Sequence, residues 1–230
     1  MSEFTRREFV KKATAATAIT ATTLPVWAIP EKRDPVKIGL IGCGGRGTGA
    51  ANQSLTANAD AVIWAMGDAF QDRLTSSADT LKNEQGDRAV VPMERRFVGF
   101  NAFQQVIDSG VDMVILTTPP HFRPEHLAAA VKAKKHVFCE KPMAVDGTGV
   151  RSVIESAKLA KENDTNLMSG FCWRYAPAMR ATYGHLLGGS IGDIRSVFAT
   201  YYTAPLWTKA RKESWSDMEW QMRNWVHFDW

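Results

Sequence analysis

The 230-residue sequence is 45% hydrophobic and 23% charged, which is typical of a soluble globular protein with one complete domain and part of a second. Its formal net charge is +4, and half of that comes from residues 1–28, which contain four basic and two acidic side chains. Beyond that segment no basic run or basic stripe with interleaved aromatic residues occurs, which argues against a nucleic-acid partner.

The N-terminal segment, residues 1–34, has the layout of an export signal. Its stretch TRREFVK, residues 5–11, resembles the twin-arginine consensus, in which two arginines precede a phenylalanine and an aliphatic residue. An Ala- and Thr-rich apolar stretch follows, and small residues around Ala28 offer a cleavage site. We therefore predict a twin-arginine signal peptide with a linker, and export of the folded protein to the periplasm by the twin-arginine machinery. An uncleaved membrane anchor stays open as an alternative, although a span needs about 20 predominantly apolar residues.

From residue 35 onward, apolar runs alternate with amphipathic patterns. The predicted strands are residues 36–42, 61–68, 113–118, 136–140 and 166–171, which have the continuous apolar character of strands covered on both faces. Helices are predicted between them, among them residues 124–134 and residues 147–162, the latter with Val150, Val153, Ile154 and Ala157 on one face. This order predicts an α/β fold, a Rossmann-type doubly wound parallel sheet over residues 35–175.

A glycine-rich turn directly follows the first predicted strand. Gly42, Gly44 and Gly47 form the pattern G-x-G-x-x-G, with Gly45 and Arg46 inside it. Glycines allow a tight turn and close approach of a pyrophosphate to the backbone, and the helix that follows offers free N–H groups and a positive dipole end. The turn therefore predicts a phosphate-binding loop.

The second predicted strand ends in Asp68, 21 residues past Gly47. A carboxylate at this place accepts hydrogen bonds from an adenosine ribose, so the pattern predicts a dinucleotide cofactor. Because a 2′-phosphate would meet the charge of Asp68, NAD is favoured over NADP. Arg46 and Arg73 could offset that repulsion, so NADP stays open.

Three longer stretches together resemble one enzyme family. They are KIGLIGCGGRGTGA, DMVILTTPPHFRPEHLAAAVKAKKHVFCEKP and SGFCWRYAP, and in this order they are similar to the glucose-fructose oxidoreductase, inositol dehydrogenase and rhizopine-catabolism family, Gfo/Idh/MocA. The resemblance covers about residues 36–200. It implies that two loops line the nicotinamide cleft, one with Thr118, Pro119 and His121 and the other with Glu140, Lys141 and Pro142. It also implies a cleft-facing role for Arg174, against which a structural ion pair remains an equal alternative.

Lys141 is the predicted catalytic residue. At the carboxyl end of a parallel strand its ammonium group can hydrogen-bond a hydroxyl being oxidised, or a cofactor ribose, and favour developing alkoxide charge. Pro142 restricts Lys141 to extended conformations. A surface Glu-Lys pair without function is the alternative, and Glu140 either binds cofactor, holds Lys141 or is a plain strand-end acid. His126, in the helix between these loops, is expected to pack or cap.

Residues 176–230 differ in character from the preceding part. A helix is predicted over residues 176–188 and a long strand over residues 192–203, followed by five tryptophans within 24 residues. The segment resembles the start of the family's second domain, which carries the substrate and often the oligomer interface. The tryptophans fit either a carbohydrate site, since sugars stack on aromatic rings, or the packing of a loop or subunit contact. Family members continue to a His/Asp acid–base pair beyond this point, so the resemblance implies a truncated chain. Because the second domain often carries the oligomer interface, it also implies a homo-oligomer of the full-length form.

No metal site is predicted. Cys43, Cys139 and Cys172 have neither the spacing of metal ligands nor that of a disulfide framework, and we expect all three to be buried.

The sequence thus predicts an NAD(P)-dependent oxidoreductase that transfers hydride between nicotinamide and a sugar, polyol or related hydroxyl compound. The cofactor is expected to be tightly bound, since an exported enzyme would carry it from the cytoplasm. Two alternatives stay open: an NAD-dependent glycoside hydrolase of the same family that uses transient oxidation, and a non-catalytic nucleotide- or sugar-binding remnant.

Overall fold

The computed structural model describes residues 34–228, in which six strands alternate with helices. The strands are β1 Val36–Ile41, β2 Ala61–Asp68, β3 Arg96–Val98, β4 Met113–Leu116, β5 His136–Cys139 and β6 Leu167–Ser169. The α-helices are α1 Gly45–Ala57, α2 Gln71–Gln85, α3 Ala102–Asp108, α4 Arg123–Lys132, α5 Gly147–Glu162, α6 Pro177–Leu187 and α7 Asp217–Arg223. Short 3-10 turns occur at Gly86–Ala89, Met93–Arg95, Cys172–Tyr175 and Trp225–His227.

The strands form one sheet in the order β3-β2-β1-β4-β5-β6, and every neighbouring pair is parallel. This is the strand order of the doubly wound dinucleotide-binding fold, so the predicted Rossmann architecture is confirmed. The direction of winding reverses between β1 and β4. Ligands of such sheets bind in the crevice beyond the carboxyl ends of the strands at this reversal.

Two hydrophobic layers cover the two faces of the sheet. Leu40 of β1 packs with Leu55 and Leu74 of α1 and α2 on one face. Ile41, the next residue, packs with Val106 and Leu127 of α3 and α4 on the other. Successive side chains of a strand point to opposite faces, which explains why β1 is a continuous apolar run. Burial of each such side chain contributes about 1.5–3 kcal/mol, so the layers fix the strand ends that carry the site.

The predicted strand over residues 192–203 is wrong. Residues 194–212 have no regular secondary structure, and the side chains of Val197, Phe198 and Tyr202 are 81–93% exposed. Their alternating pattern suits a strand, but a strand requires a neighbour with which to exchange backbone hydrogen bonds. Within the part of the chain that the structure describes, residues 192–203 have no neighbouring strand with which to pair. Sequence reasoning also missed β3, which has only three residues.

Two further expectations are wrong in part. Helix α5 has the predicted bounds, but Val150 and Ile154 of its predicted apolar face are exposed, and it packs through Val153 and Ala160. Cys43 and Cys139 are buried as predicted, whereas Cys172, in an exposed 3-10 turn at the end of the sheet, is exposed. Among the helices of residues 34–228, none is long and apolar enough to cross a membrane. The predicted signal over residues 1–34 lies almost entirely outside the described residues.

Candidate functional site

A cleft of about 900 Å³ opens beyond the carboxyl ends of β1, β2 and β4. Its floor is the glycine-rich turn with Asp68 and the loop Thr117–Pro119, and aromatic residues form part of its wall, namely Phe70, Phe100, Phe103 and Phe122. The cleft therefore lies at the reversal point of the sheet, where the fold binds ligands.

The glycine-rich turn is tight toward the protein. Gly42 has φ +95°, and a Cβ atom there would lie 2.7 Å from the amide nitrogen of Thr118. A Cβ atom on Gly47 would lie 1.9 Å from the carbonyl oxygen of Gly42. Both positions therefore require glycine, because any side chain would force the loop away from the sheet.

The same turn is open toward the cleft. A Cβ atom on Gly44 would meet only the Arg73 guanidinium, at 3.9 Å, and one on Gly45 would meet nothing within 4 Å. Helix α1 begins here with no side-chain cap and no acid in its first turn. Its first N–H groups and its dipole are thus directed at the space that a pyrophosphate would occupy. The residues present fit a dinucleotide.

Thr117, at the end of β4, holds the turn in place. Its hydroxyl donates to the carbonyl oxygen of Gly42 at 2.6 Å, and its backbone N–H donates to the carbonyl oxygen of Ile41 at 2.8 Å. Sequence reasoning placed Thr117 inside a predicted strand and assigned it no role. The sequence feature that could have indicated this role is a hydroxyl side chain at the end of the strand beside the glycine turn.

Asp68 ends β2 as predicted and lines the cleft, with 7% of the residue exposed. One carboxylate oxygen accepts from the N–H of Cys43 at 2.7 Å, and the other accepts from the N–H of Phe70 at 2.8 Å. Burial raises the pKa of the carboxyl group, and the two backbone donors oppose that rise. Asp68 therefore braces the glycine turn, and the remaining lone pairs of its oxygens can accept from a ribose.

Glu140 and Arg46 connect the end of β5 to the glycine turn. The Arg46 Nε lies 3.3 Å from the Glu140 carboxylate, of which the other oxygen accepts from the Lys141 N–H at 3.2 Å. Gly170 makes room for this carboxylate, because a Cβ atom there would lie 2.9 Å from its carbon. Of the roles considered for Glu140, the contacts favour the one that holds the backbone of Lys141.

A buried arginine that sequence reasoning missed joins the two predicted cleft loops. Arg123 is 1% exposed, and its guanidinium donates to the carbonyl oxygen of Thr118 in one loop and, at 2.5 Å, to that of Pro142 in the other. Burial lowers its pKa. Its signal in the sequence was one charge on the face of α4 that otherwise carries Leu127 and Val131.

His126, also on α4, packs in the wall of the cleft. Its ring stacks on Phe103 with centroids 4.1 Å apart, and its Nδ1 lies 3.2 Å from the hydroxyl of Thr118. Burial, followed by the charge of Arg123, lowers the pKa of His126 to about 3. The ring is therefore neutral at physiological pH and acts in packing, as expected.

The structure brings most predicted cofactor residues together, but not all of them. The cleft is lined by Gly42, Gly44, Gly45, Arg46, Gly47, Asp68, Thr118 and Pro119. Four predicted residues do not line it, namely His121, Glu140, Lys141 and Arg174. Glu140 adjoins it through Arg46. In dinucleotide-binding sheets an acid at the end of the second strand lies on the adenosine side, and β5 and β6 lie on the other side of the reversal point.

The remaining predicted residues are exposed. Lys141 follows β5, and its peptide bond to Pro142 is cis. The guanidinium of Arg174 lies 5.5 Å from the ring centroid of Phe171, within the turn after β6. His121 contacts Phe122 edge-on, with centroids 5.2 Å apart. These positions leave Lys141 and Arg174 at the carboxyl ends of β5 and β6, beside the described cleft.

Residues 207–228, here called the tryptophan segment, form another wall of the cleft. Trp207, Lys209, Met222 and Trp225 line it. Arg223 fastens the segment to α2 through two hydrogen bonds to the Asp72 carboxylate, at 2.9 and 2.8 Å. Two of the tryptophans, Trp207 and Trp225, thus pack against this cleft, and no sequence pattern indicates the contact.

Comparison with known proteins places these features in a family context. The Gfo/Idh/MocA profile, described as an oxidoreductase family with an NAD-binding Rossmann fold, matches residues 36–171. Myo-inositol 2-dehydrogenase of Thermotoga maritima is 31% identical over 157 residues, which are 68% of this chain and 42% of that protein. A dTDP-3,4-didehydro-2,6-dideoxy-alpha-D-glucose 3-reductase of Actinomadura kijaniata is 28% identical over 76% of this chain and 48% of its own.

Solved structures show the same likeness. The crystal structure of myo-inositol 2-dehydrogenase from Lactobacillus plantarum superposes with a TM-score of 0.55 at 26% identity, covering 70% of this chain and 43% of that one. A variant of KijD10, a 3-ketoreductase from Actinomadura kijaniata in complex with TDP-benzene and NADP, gives a TM-score of 0.52 at 26% identity. The match covers 70% of this chain and 45% of that one. The present chain therefore spans less than half the length of these relatives.

Proposed function

Since the chain belongs to the Gfo/Idh/MocA oxidoreductase family, with its NAD-binding Rossmann fold over residues 36–171, we propose that it acts as an NAD(P)-dependent oxidoreductase on a polyol or sugar hydroxyl. The observation that carries the proposal is the glycine turn, tight against β4 and open to a cleft that Asp68 also lines. Relatives named for inositol and deoxysugar substrates support the substrate class.

In this proposal the adenosine half of the cofactor occupies the cleft. The free N–H groups at the start of α1 bind the pyrophosphate, and Asp68 accepts from the ribose. Thr118 and Pro119 line the opposite wall. The nicotinamide ring accepts a hydride when oxidised and donates one when reduced.

Lys141 is proposed to act on the substrate oxygen. It lies at the end of β5, on the nicotinamide side of the reversal point, and its backbone is fixed by Glu140 and by Arg123 through Pro142. An ammonium group so placed can hydrogen-bond the reacting hydroxyl and stabilise alkoxide charge as the hydride leaves. Arg174 and His121, each in a loop at the same edge of the sheet, are proposed to contact the cofactor or the substrate.

The test is a substrate panel assayed with both cofactors. Purified protein is mixed with NAD or NADP and with myo-inositol, scyllo-inositol or glucose, and formation of the reduced cofactor is followed. We expect turnover with at least one pair, and a strong loss in Lys141→Met but not in Lys132→Met, an exposed lysine at the end of α4. Binding of dinucleotide without turnover on any hydroxyl compound would support the non-catalytic alternative.

Export is a separate part of the proposal and depends on the sequence alone. Residues 1–34 are proposed to be a twin-arginine signal that delivers the folded protein, with its cofactor already bound, to the periplasm. Fusion of these residues to a reporter that fluoresces only if folded before export tests this. Periplasmic fluorescence that disappears when Arg6 and Arg7 are both changed to lysine is expected. Cytoplasmic retention of the unmodified fusion would contradict it.

The division of residues 35–230 into two domains is likewise proposed from the sequence. Residues 35–175 would form the dinucleotide-binding domain, and residues 176–230 would belong to a substrate and oligomerisation domain. The exposed apolar side chains of residues 194–202 agree with a segment that is covered in an oligomer. Sedimentation of the purified protein tests this, since a strict monomer would contradict the oligomer.

A further inference from the structure

Two cationic side chains line the cleft without a direct hydrogen bond or ion pair to any carboxylate of residues 34–228. Arg73 of α2 and Lys209 of the tryptophan segment both line it. Within residues 34–228, neither side chain makes a hydrogen bond or an ion pair, and the Arg73 guanidinium lies over the ring of Phe70, 5.5 Å from its centroid. Arg73 also lies over Gly44, the open position of the phosphate-binding turn.

The carboxylates nearby are already engaged. Both oxygens of Asp72 accept from Arg223, and Glu219 accepts from the same guanidinium at 2.9 Å. Asp68 accepts from the N–H of Cys43 in the turn and from that of Phe70 directly before α2. The pKa of Lys209 is lowered, first by burial and then by the charges of Arg73 and Arg223. Lys209 therefore lies in a partly buried place beside two other cations, and an anion bound there would offset their repulsion.

Lys209 is held in this place by a rigid backbone frame. Asn224, which is fully buried, accepts from the Lys209 N–H at 2.6 Å and donates to its carbonyl oxygen at 3.2 Å. The indole of Trp220 donates to the same oxygen at 3.1 Å. Three hydrogen bonds from the tryptophan segment thus fix the position of the Lys209 backbone.

The frame is itself anchored on the nucleotide-binding domain. The Arg223 side chain is 6% exposed and lies between two rings, 4.0 Å from the centroid of Phe70 and 4.6 Å from that of Trp215. Its two bonds to Asp72 join positions 151 residues apart. Stacking and bidentate pairing of a guanidinium are geometrically specific, so they set the segment in one place over the cleft.

We propose that Arg73 and Lys209 form a binding subsite for a phosphate group of the dinucleotide, and that the tryptophan segment closes the cleft over the adenosine. The subsite rests on the proposed function, because it needs a dinucleotide in the cleft. Two sources carry the required chemistry, the pyrophosphate common to both cofactors and the 2′-phosphate of NADP. The charge of Asp68 disfavours the second source, and Arg73 and Lys209, which line the same cleft, would offset that repulsion.

The experiment measures dissociation constants of NAD, NADP and adenosine by calorimetry for three proteins. These are the unmodified chain, Lys209→Met, and the matched control Lys212→Met, whose exposed amine lies 5.1 Å from the Trp215 ring and does not line the cleft. Lys209→Met is expected to raise the dissociation constants of both dinucleotides about tenfold or more, since it removes one charge-assisted hydrogen bond to a phosphate. The dissociation constant of adenosine should change by less than about twofold. Lys212→Met is expected to bind all three ligands normally, and Lys209→Arg to restore binding in part.

The pattern of loss identifies the source of the phosphate. Equal weakening of NAD and NADP assigns the pyrophosphate, and a larger loss for NADP assigns the 2′-phosphate. Unchanged dinucleotide binding in Lys209→Met overturns the subsite and leaves the proposed function standing. Equal weakening of adenosine also overturns it, because the effect would then be structural. Failure of the unmodified protein to bind either dinucleotide overturns the subsite and the proposed function together.

Discussion

Gly47→Ala perturbs the turn at its tightest contact with the protein. The new Cβ atom would lie 1.9 Å from the Gly42 carbonyl oxygen and 2.5 Å from the Thr117 hydroxyl oxygen, whereas close C–H···O contacts are about 3.3 Å. The turn must therefore open by about 1.4 Å, which breaks the bond from Thr117 and moves the N–H groups of α1. Overpacking of this kind costs about 3 kcal/mol, and if that cost falls on the binding-competent loop, dinucleotide affinity falls about a hundredfold.

The assay is a titration of NADH into the protein, together with thermal unfolding. We expect the melting temperature of Gly47→Ala to fall by about 6–12 °C, since 1 kcal/mol shifts a domain of this size by about 2–4 °C. Gly184→Ala is the matched control, because Gly184 lies in α6 and its Cβ atom would meet nothing within 4 Å. Normal NADH affinity and an unchanged melting temperature in Gly47→Ala would refute the reasoning about the turn.

The remaining predictions concern three side chains around the site. Lys141→Met should lower kcat by about 10²–10⁴-fold with dinucleotide affinity nearly unchanged, and equal losses of both would instead indicate misfolding. His126 has a folded pKa of about 3 against an ordinary 6.5, so the unfolded chain binds more protons below pH 6.5. Through this residue, the free energy of unfolding should thus drop by about 2 kcal/mol from pH 7 to pH 5. Urea unfolding of His126→Gln at the two pH values should show a decrease that is smaller by this amount. Asp72→Asn removes the anchor of Arg223, and trypsin should then cut residues 207–228 several times faster, whereas an unchanged rate would show that the rings alone hold the segment.

The parts of the site that follow strand ends could be predicted from the sequence. The glycine turn after β1 and Asp68 at the end of β2 are local patterns, and the parallel sheet brings such ends to one edge. The same logic placed Glu140 and Lys141 at that edge. It could not show that they lie beside the adenosine cleft, because the distance between neighbouring strand ends depends on the loops.

The parts that depend on distant contacts could not be predicted. Arg123 joins two loops through backbone carbonyl oxygens, which carry no sequence signal. The tryptophans, mostly five residues apart, match neither a helix face nor a strand face. The packing of their segment on α2 relies on the Arg223–Asp72 pair, which sequence spacing does not suggest. The alternating pattern of residues 192–203 misled the prediction for the opposite reason, since a strand pattern shows its faces but not whether a partner strand is beside it.

The central claim is that the cleft at the ends of β1, β2 and β4 binds a nicotinamide dinucleotide. Trp207 and Trp225 line that cleft, so their fluorescence can transfer energy to a bound reduced nicotinamide. Titration of NADH into the 230-residue chain, with tryptophan excitation, tests the claim most directly. The account predicts saturable energy transfer that adenosine diphosphate displaces by competition. The absence of saturable transfer and of any calorimetric signal at millimolar NADH or NADPH would contradict it.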